Sequence, residues 1–190
     1  ICAGRESLHV TRPRPHFPAN TVLHVVNRGN ERRELFTGAE EYRRFLHLIE
    51  NTQEWVQMRL LAYALMPNHW HLVAWPTSAR DLSQFMHRLC WRHAAELRTR
   101  TATVGNGHVY QGRYRAFAIG SPLHYFRVMR YVEANPLRAG LVGRAEDWPW
   151  SSLHERLGEP RLIRDGPERL PSLEHWLDEV NRPMTPEEVA

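Results

Sequence analysis

Lysine is absent from this sequence: all 25 of its basic residues are arginine. Only two cysteines occur, Cys2 and Cys90, too few for a disulfide framework or a four-thiolate zinc site. No uninterrupted apolar run reaches the roughly 18 residues that a membrane helix needs. The first residues carry Arg5, Arg12 and Arg14 without an apolar h-region, which predicts no secretory signal. Together these absences predict a soluble protein of a reducing, cytoplasmic compartment. No internal repeat is visible, and 190 residues make one domain's worth of chain with room for an appendage.

What is present is arginine, unevenly placed. Residues 1–138 hold 19 Arg against 10 acidic residues, a net of +9, whereas residues 139–190 hold 6 against 11, a net of −5. The overall charge of +4 conceals that split. Arginine presents a planar fork of donors that matches phosphate and stacks on bases, so the basic part suits a polyanion such as nucleic acid. A GC-rich genome also replaces lysine by arginine, so composition leaves both readings open. The split further suggests an acidic tail folded back over the basic region and restraining it.

The periodicities give an order of elements. Residues 1–19, rich in Pro and Arg, read as a loosely held arm; residues 20–153 carry the regular elements; residues 154–190 form the acidic tail. Thr21 to Arg28 is a β-branched, apolar run ended by Gly29-Asn30, a first strand. Tyr42, Phe45, Leu46 and Ile49 space a helix over 40–52. Two apolar runs, 58–66 and 69–75, joined by Pro67-Asn68, form a hairpin. Leu82, Phe85, Met86, Leu89, His93 and Leu97 line a helix over 79–98, followed by a loop over 99–108 and a fourth strand over 109–119. Ser121-Pro122 is an N-cap with Pro at the first helical position, opening a helix that runs to Asn135 and stops at Pro136. The pattern predicts an α+β fold: a ferredoxin-like (split βαβ) antiparallel sheet of four strands, two helices packed on it, and an appended helix. Beyond it, 173–180 reads as one short helix, and Trp148 and Trp150 as packing anchors for the tail.

Two groups carry chemistry. His69 and His71 are two apart on a strand, so their imidazoles share a face and can meet one metal ion; a purely structural histidine pair is the alternative. On the appended helix, 100° per residue places Tyr131 with His124, Arg127 and Asn135, away from the apolar stripe. That position suits either a tyrosine snorkelling at the surface or one facing a phosphate.

His69-Trp70-His71 after Leu65-Met66-Pro67-Asn68, with Tyr131-Val132-Glu133-Ala134-Asn135-Pro136-Leu137-Arg138-Ala139-Gly140, resembles the single-tyrosine transposases that carry a histidine–hydrophobic–histidine motif. More closely, the chain is similar to the REP-associated tyrosine transposases of bacteria. Val26-Asn27-Arg28-Gly29-Asn30, Tyr110-Gln111-Gly112-Arg113-Tyr114 and Asp147-Trp148-Pro149-Trp150-Ser151-Ser152 support the resemblance, which spans about 20–153. It implies a metal-dependent enzyme that nicks and joins single-stranded DNA at REP-type hairpins. Tyr131 would be the nucleophile, leaving a 5′-phosphotyrosine, and His69, His71 and Asn135 would hold Mg²⁺ or Mn²⁺. Because the phosphotyrosine conserves the bond energy, no ATP is needed, in keeping with the absence of a Walker-type loop. His124, on the same side of the helix, is the candidate for the base that takes the phenol proton.

Arg28, Asn30, Arg32 and Arg33 cluster at the mouth of the first strand, Arg113 and Arg115 along the fourth, and Arg127 beside Tyr131, all as phosphate contacts. His87, Arg88, Trp91 and Arg92 form a second basic, aromatic face, on the long helix. An ordinary solvated surface is the alternative for each. A replication-initiator or relaxase relative would use the same chemistry, but the short chain argues against it. The non-enzymatic alternative is a domesticated hairpin-binding module of the same fold. A monomer is expected, a homodimer being the other possibility.

Overall fold

The computed structural model describes residues 17–101, 107–185 and 188. The expected N-terminal arm lies almost wholly outside the described residues, as do residues 102–106 of the loop expected over 99–108. β1 (Leu23–Arg28), α1 (Ala39–Trp55), β2 (Met58–Met66), β3 (His69–Pro76), α2 (Ala79–Arg100), β4 (Arg115–Ala118) and α3 (Pro122–Glu133) follow in the expected order. The strands form one sheet, β2-β3-β1-β4, with every neighbouring pair antiparallel. This is the ferredoxin-like arrangement. Among the described residues no helix is long and apolar enough to cross a membrane.

Strand alternation gives the sheet two unlike faces. Leu23, Val25, Trp70, Leu72 and Ala74 point to one, where Phe45 and Ile49 of α1 and Phe85 and Leu89 of α2 complete the larger core. At roughly 2 kcal/mol for each large apolar side chain withdrawn from water, this layer dominates the stability. The other face is therefore free to hold polar groups. There Val22, Ala62, Ala64 and Val73 meet Tyr125, Met129 and Val132 of α3, and the alternation puts His24, Val26, Arg28, His69 and His71 on the same side.

Two boundaries differ from the sequence expectation. The fourth strand is four residues long rather than the whole of 109–119. Arg115 pairs with Val26 and Tyr110 bridges Gly29, so five residues of this segment span the length of three on β1. The surplus loops out, and Arg113 lies in that loop rather than alternating with Arg115 on a strand. At the other boundary, α3 ends at Glu133 and the chain restarts as α4 (Asn135–Arg138). Pro136 has no N–H to continue α3 but fits the first turn of a new helix, so it redirects the chain instead of ending its helical course.

After α4, the chain closes the outer edge of β2. The Leu65 amide donates to the Trp150 carbonyl at 2.9 Å, the Trp148 indole to the Leu65 carbonyl at 2.9 Å, and the Arg164 amide to the Leu60 carbonyl at 2.8 Å. An otherwise open strand edge is satisfied. Trp150 also lies flat on Tyr42, ring centres 4.9 Å apart. α5 (Ser152–Arg156) and α6 (Leu173–Asn181) then pack beside α3, each opened by a serine whose hydroxyl accepts a first-turn amide.

Glu133 joins these pieces. Fully buried at the end of α3, its carboxylate accepts from Ser152 Oγ at 2.5 Å, Arg156 Nε at 2.9 Å and the Trp176 indole at 2.6 Å. One residue-turn away, Arg130 donates to the carbonyls of Glu179 and Arg182 and to Glu188. Arg130 and Glu133 lie on the flank of α3 opposite to Tyr131. These tail contacts are thus with the β2 edge and the far flank of α3, not with the histidine face that an overlying acidic tail would cover.

Two outcomes follow from the burial. Glu133→Ala leaves an arginine, an indole and a hydroxyl without their acceptor, and urea unfolding should show a loss of about 3–5 kcal/mol. His93 of α2, packed on Phe45 with Nδ1 2.6 Å from the Tyr110 hydroxyl, is pushed by burial down to about 3 from an ordinary 6.5. Its ring should stay neutral by NMR until near pH 3. Between those values the unfolded chain binds a proton that the folded one does not, so stability should fall as pH falls through that window.

Candidate active site

The site is built on the β1–β3 pairing. Arg28 stands opposite His69, Val26 opposite His71 and His24 opposite Val73, with Arg115 and Phe117 of β4 completing the rows beyond Val26 and His24. Side chains paired or diagonal on one face lie close enough for rings to touch. The His69 and His71 rings are 5.1 Å apart and nearly perpendicular. His24 stacks on His71 at 5.1 Å and 17°, with His24 Nε2 2.9 Å from His71 Nδ1.

Tyr131, half-buried, stands edge-on to both, 5.9 Å from the His24 ring and 5.8 Å from that of His71. The helical count that placed it on a polar side is met by a polar partner: at Tyr131 that side of α3 faces imidazoles, while His124 and Arg127 on the same side are exposed. The Arg138 guanidinium lies 4.9 Å from the centre of the tyrosine ring. A cation there opposes no negative charge that develops on the phenol, and it restrains the ring. Asn135, buried one turn beyond Tyr131, donates its Nδ2 to the Tyr131 carbonyl at 3.2 Å, so its amide oxygen remains as an acceptor.

The imidazoles are held neutral. Burial, then the charge of His124, lowers His24 to about 4. Burial, then Arg28, lowers His69 to about 4. His71 is pushed well below the ordinary value by burial and then by His24, His69, Arg28 and Arg138. Neutral imidazole is the form that binds a metal. Asn68 Oδ1 lies 2.7 Å from His69 Nδ1, so it takes that N–H and leaves the His69 Nε2 lone pair available. Among the described residues no three His, Cys, Asp or Glu are grouped to hold an ion. The expected donors, two imidazoles and the Asn135 amide, are by their chemistry a set that fits a divalent cation completed by water.

Arg28 is exposed at the end of the histidine row, Arg115 is exposed on β4, and Arg127 is exposed one turn before Tyr131. Asn30, Arg32 and Arg33 occupy the turn after β1, where Glu31 and Arg32 take left-handed φ of 52° and 59°. Asn68 binds the Arg32 carbonyl at 3.4 Å, tying this turn to the start of β3. Arg113 lies in the loop that precedes β4. The His87, Arg88, Trp91 and Arg92 surface belongs to α2, on the opposite side of the sheet, and Arg88 there lies over the Trp55 ring at 4.6 Å. His124 accepts the Gly120 amide on Nδ1 at 3.3 Å, which occupies one of its two nitrogens.

His24 and Arg138 are site residues that sequence reasoning did not select. His24 shares strand alternation with Val26 and Arg28, a usable signal, but its partner His71 comes from another strand. Arg138 sits beyond Pro136, where the helix was expected to have ended.

Fold and site define the class: a split-βαβ domain whose histidine face is closed by a helix-borne tyrosine. The chain belongs to the IS200-like transposase family, whose model matches residues 19–135. It is similar to the REP-associated tyrosine transposase of Escherichia coli strain K12, 27% identical over 141 residues that cover 74% of this chain and 81% of that protein. A solved structure of a REP-associated tyrosine transposase bound to a REP hairpin shares the fold, with a TM-score of 0.61 at 22% identity over 85% of this chain and 99% of that one.

Gly29 is needed at the mouth of the site because a Cβ there would lie 2.3 Å from the Arg33 carbonyl oxygen. Gly29→Ala should displace the Asn30–Arg33 turn, seen as amide shifts confined to it, and lower stability by about 1–3 kcal/mol.

Proposed function

We propose that this chain binds single-stranded DNA folded into a REP-type hairpin and cleaves and rejoins it through Tyr131. The observation that carries this reading is the tyrosine ring seated against His71 and beneath Arg138, on the face that also presents His69. The similar structure with a bound REP hairpin supports the substrate class.

The chemistry follows from the side chains. Arg28, Arg115 and Arg127 offer charge-assisted hydrogen bonds to phosphate oxygens and bring the strand across the histidine face. The Tyr131 hydroxyl oxygen attacks phosphorus; the bond to the 3′ oxygen breaks, the 5′ phosphate stays on Tyr131, and the phenol proton is lost as the 3′-OH is formed. Attack by a 3′-OH on the phosphotyrosine reverses the step, with one phosphodiester exchanged for another and no ATP consumed. His69 and His71, with the Asn135 amide oxygen, would hold Mg²⁺ or Mn²⁺. When bound, such an ion polarises a non-bridging oxygen and orients the scissile phosphate. Arg138 favours negative charge as it gathers between the phenol oxygen and phosphorus.

Incubated with a labelled hairpin oligonucleotide and Mg²⁺ or Mn²⁺, the protein should form a denaturant-resistant adduct. Tyr131→Phe and EDTA should each abolish that adduct while hairpin binding persists. An unchanged adduct in Tyr131→Phe would remove the tyrosine from the mechanism. Binding without cleavage under any divalent metal would identify a non-catalytic hairpin-binding module.

A further inference from the structure

The structure assigns a role to His24: we propose that it is a positioning residue, whose ring nitrogen takes the hydrogen bond of His71 Nδ1–H and so turns the His71 Nε2 lone pair towards the shared histidine face. This rests on the metal-binding reading of His69 and His71 given above.

His24 is diagonal to His71 across the central strand pair, because Val26 is the residue directly opposite His71 and His24 is opposite Val73. The Nε2–Nδ1 distance of 2.9 Å is that of a full hydrogen bond, and the two ring planes lie within 17° of each other, as an in-plane N–H···N bond requires. His24 cannot easily turn away. Phe117 lies 6.2 Å from it on the β4 side, His71 holds its Nε2 edge at 2.9 Å, and Tyr131 stands edge-on at 5.9 Å.

Two neutral imidazoles can share that hydrogen bond in two ways. If His24 donates, His71 accepts at Nδ1 and carries its own proton on Nε2, so it presents an N–H where a ligand needs a lone pair. If His71 donates, its Nε2 is bare. The neighbouring motif histidine is already set in the second manner, since the amide oxygen of Asn68 takes the His69 Nδ1 proton at 2.7 Å. With His24 as acceptor, both motif imidazoles offer Nε2. Asn68 and His24 then perform the same task for successive histidines, one from the residue before the pair and one from the adjacent strand. An outer partner that fixes the tautomer of a ligating histidine commonly matters by about 10–100-fold in metal affinity.

The test compares His24→Phe, which keeps an aromatic ring but removes the acceptor, with His24→Gln, whose amide oxygen can accept in its place. In the metal-free full chain, ring ¹⁵N NMR should find the His71 proton on Nδ1 in the wild type and in His24→Gln, and shifted towards Nε2 in His24→Phe. Mn²⁺ binding, followed by calorimetry, should weaken by about 10–100-fold in His24→Phe and recover in His24→Gln. Loss of cleavage should appear in kcat at saturating Mn²⁺ less than at limiting Mn²⁺. A His71 proton on Nε2 in the wild type, or a His24→Phe protein with unchanged tautomer and unchanged Mn²⁺ affinity, would overturn the assignment. If the wild type binds no Mn²⁺, the cleavage reading fails, and the tautomer measurement still decides the role of His24.

Discussion

The register of β1 against β3 is the constraint on which the rest depends. Because side chains alternate with a period of two, a slip of β3 by one residue would send His69 and His71 into the apolar core and bring Trp70 and Leu72 onto the opposite face. The cost of withdrawing Trp70 and Leu72 from the core, and of placing two imidazoles in it, locks the pairing. Arg28 opposite His69 and Val26 opposite His71 are therefore consequences of the core on the other face. The chemistry of one side of the sheet is positioned by the packing of the opposite side.

A second constraint places the tyrosine. α3 is held from both flanks: Met129 and Val132 pack on the sheet, and Arg130 and Glu133 are tied to the segment that follows α4. The proposed chemistry requires α3 to be fixed to a fraction of an ångström, and a stripe of apolar contacts permits sliding that hydrogen bonds do not. The buried Glu133 network supplies the directional part. Residues after 153 thus act on the site indirectly, through the orientation of α3, by closing the β2 edge and docking α6 against it.

The strand order, the two helices on one face and the histidine pair were legible in the sequence because each depends on local periodicity. Three features were not. The β4 loop-out arises from a mismatch of lengths between two strands, a relation between segments more than 80 residues apart in sequence. The continuation of helical geometry past Asn135 was masked by Pro136, which reads as a terminator although it opens a new first turn equally well. The pairing of His24 with His71 was hidden for the same reason as the loop-out: a single histidine in a β-branched run carries no mark of what lies on the next strand.

The uneven charge takes on a different meaning in three dimensions. Several acidic residues of the last segment are engaged where they stand. Glu155 accepts the amides of Arg161, Leu162 and Ile163 and the Tyr63 hydroxyl; Glu146 meets Arg144 and Asn181; Glu188 meets Arg130. Their role is to fold that segment onto β2 and α3. Arg28, Arg115, Arg127 and Arg138 are exposed around the histidine face. At physiological salt, charges beyond about 8 Å are largely screened, so a phosphate approaching that face responds to the nearby guanidiniums and hardly to carboxylates at the far flank of α3. The net charge of the whole chain consequently understates how basic the face is that a nucleic-acid strand would meet.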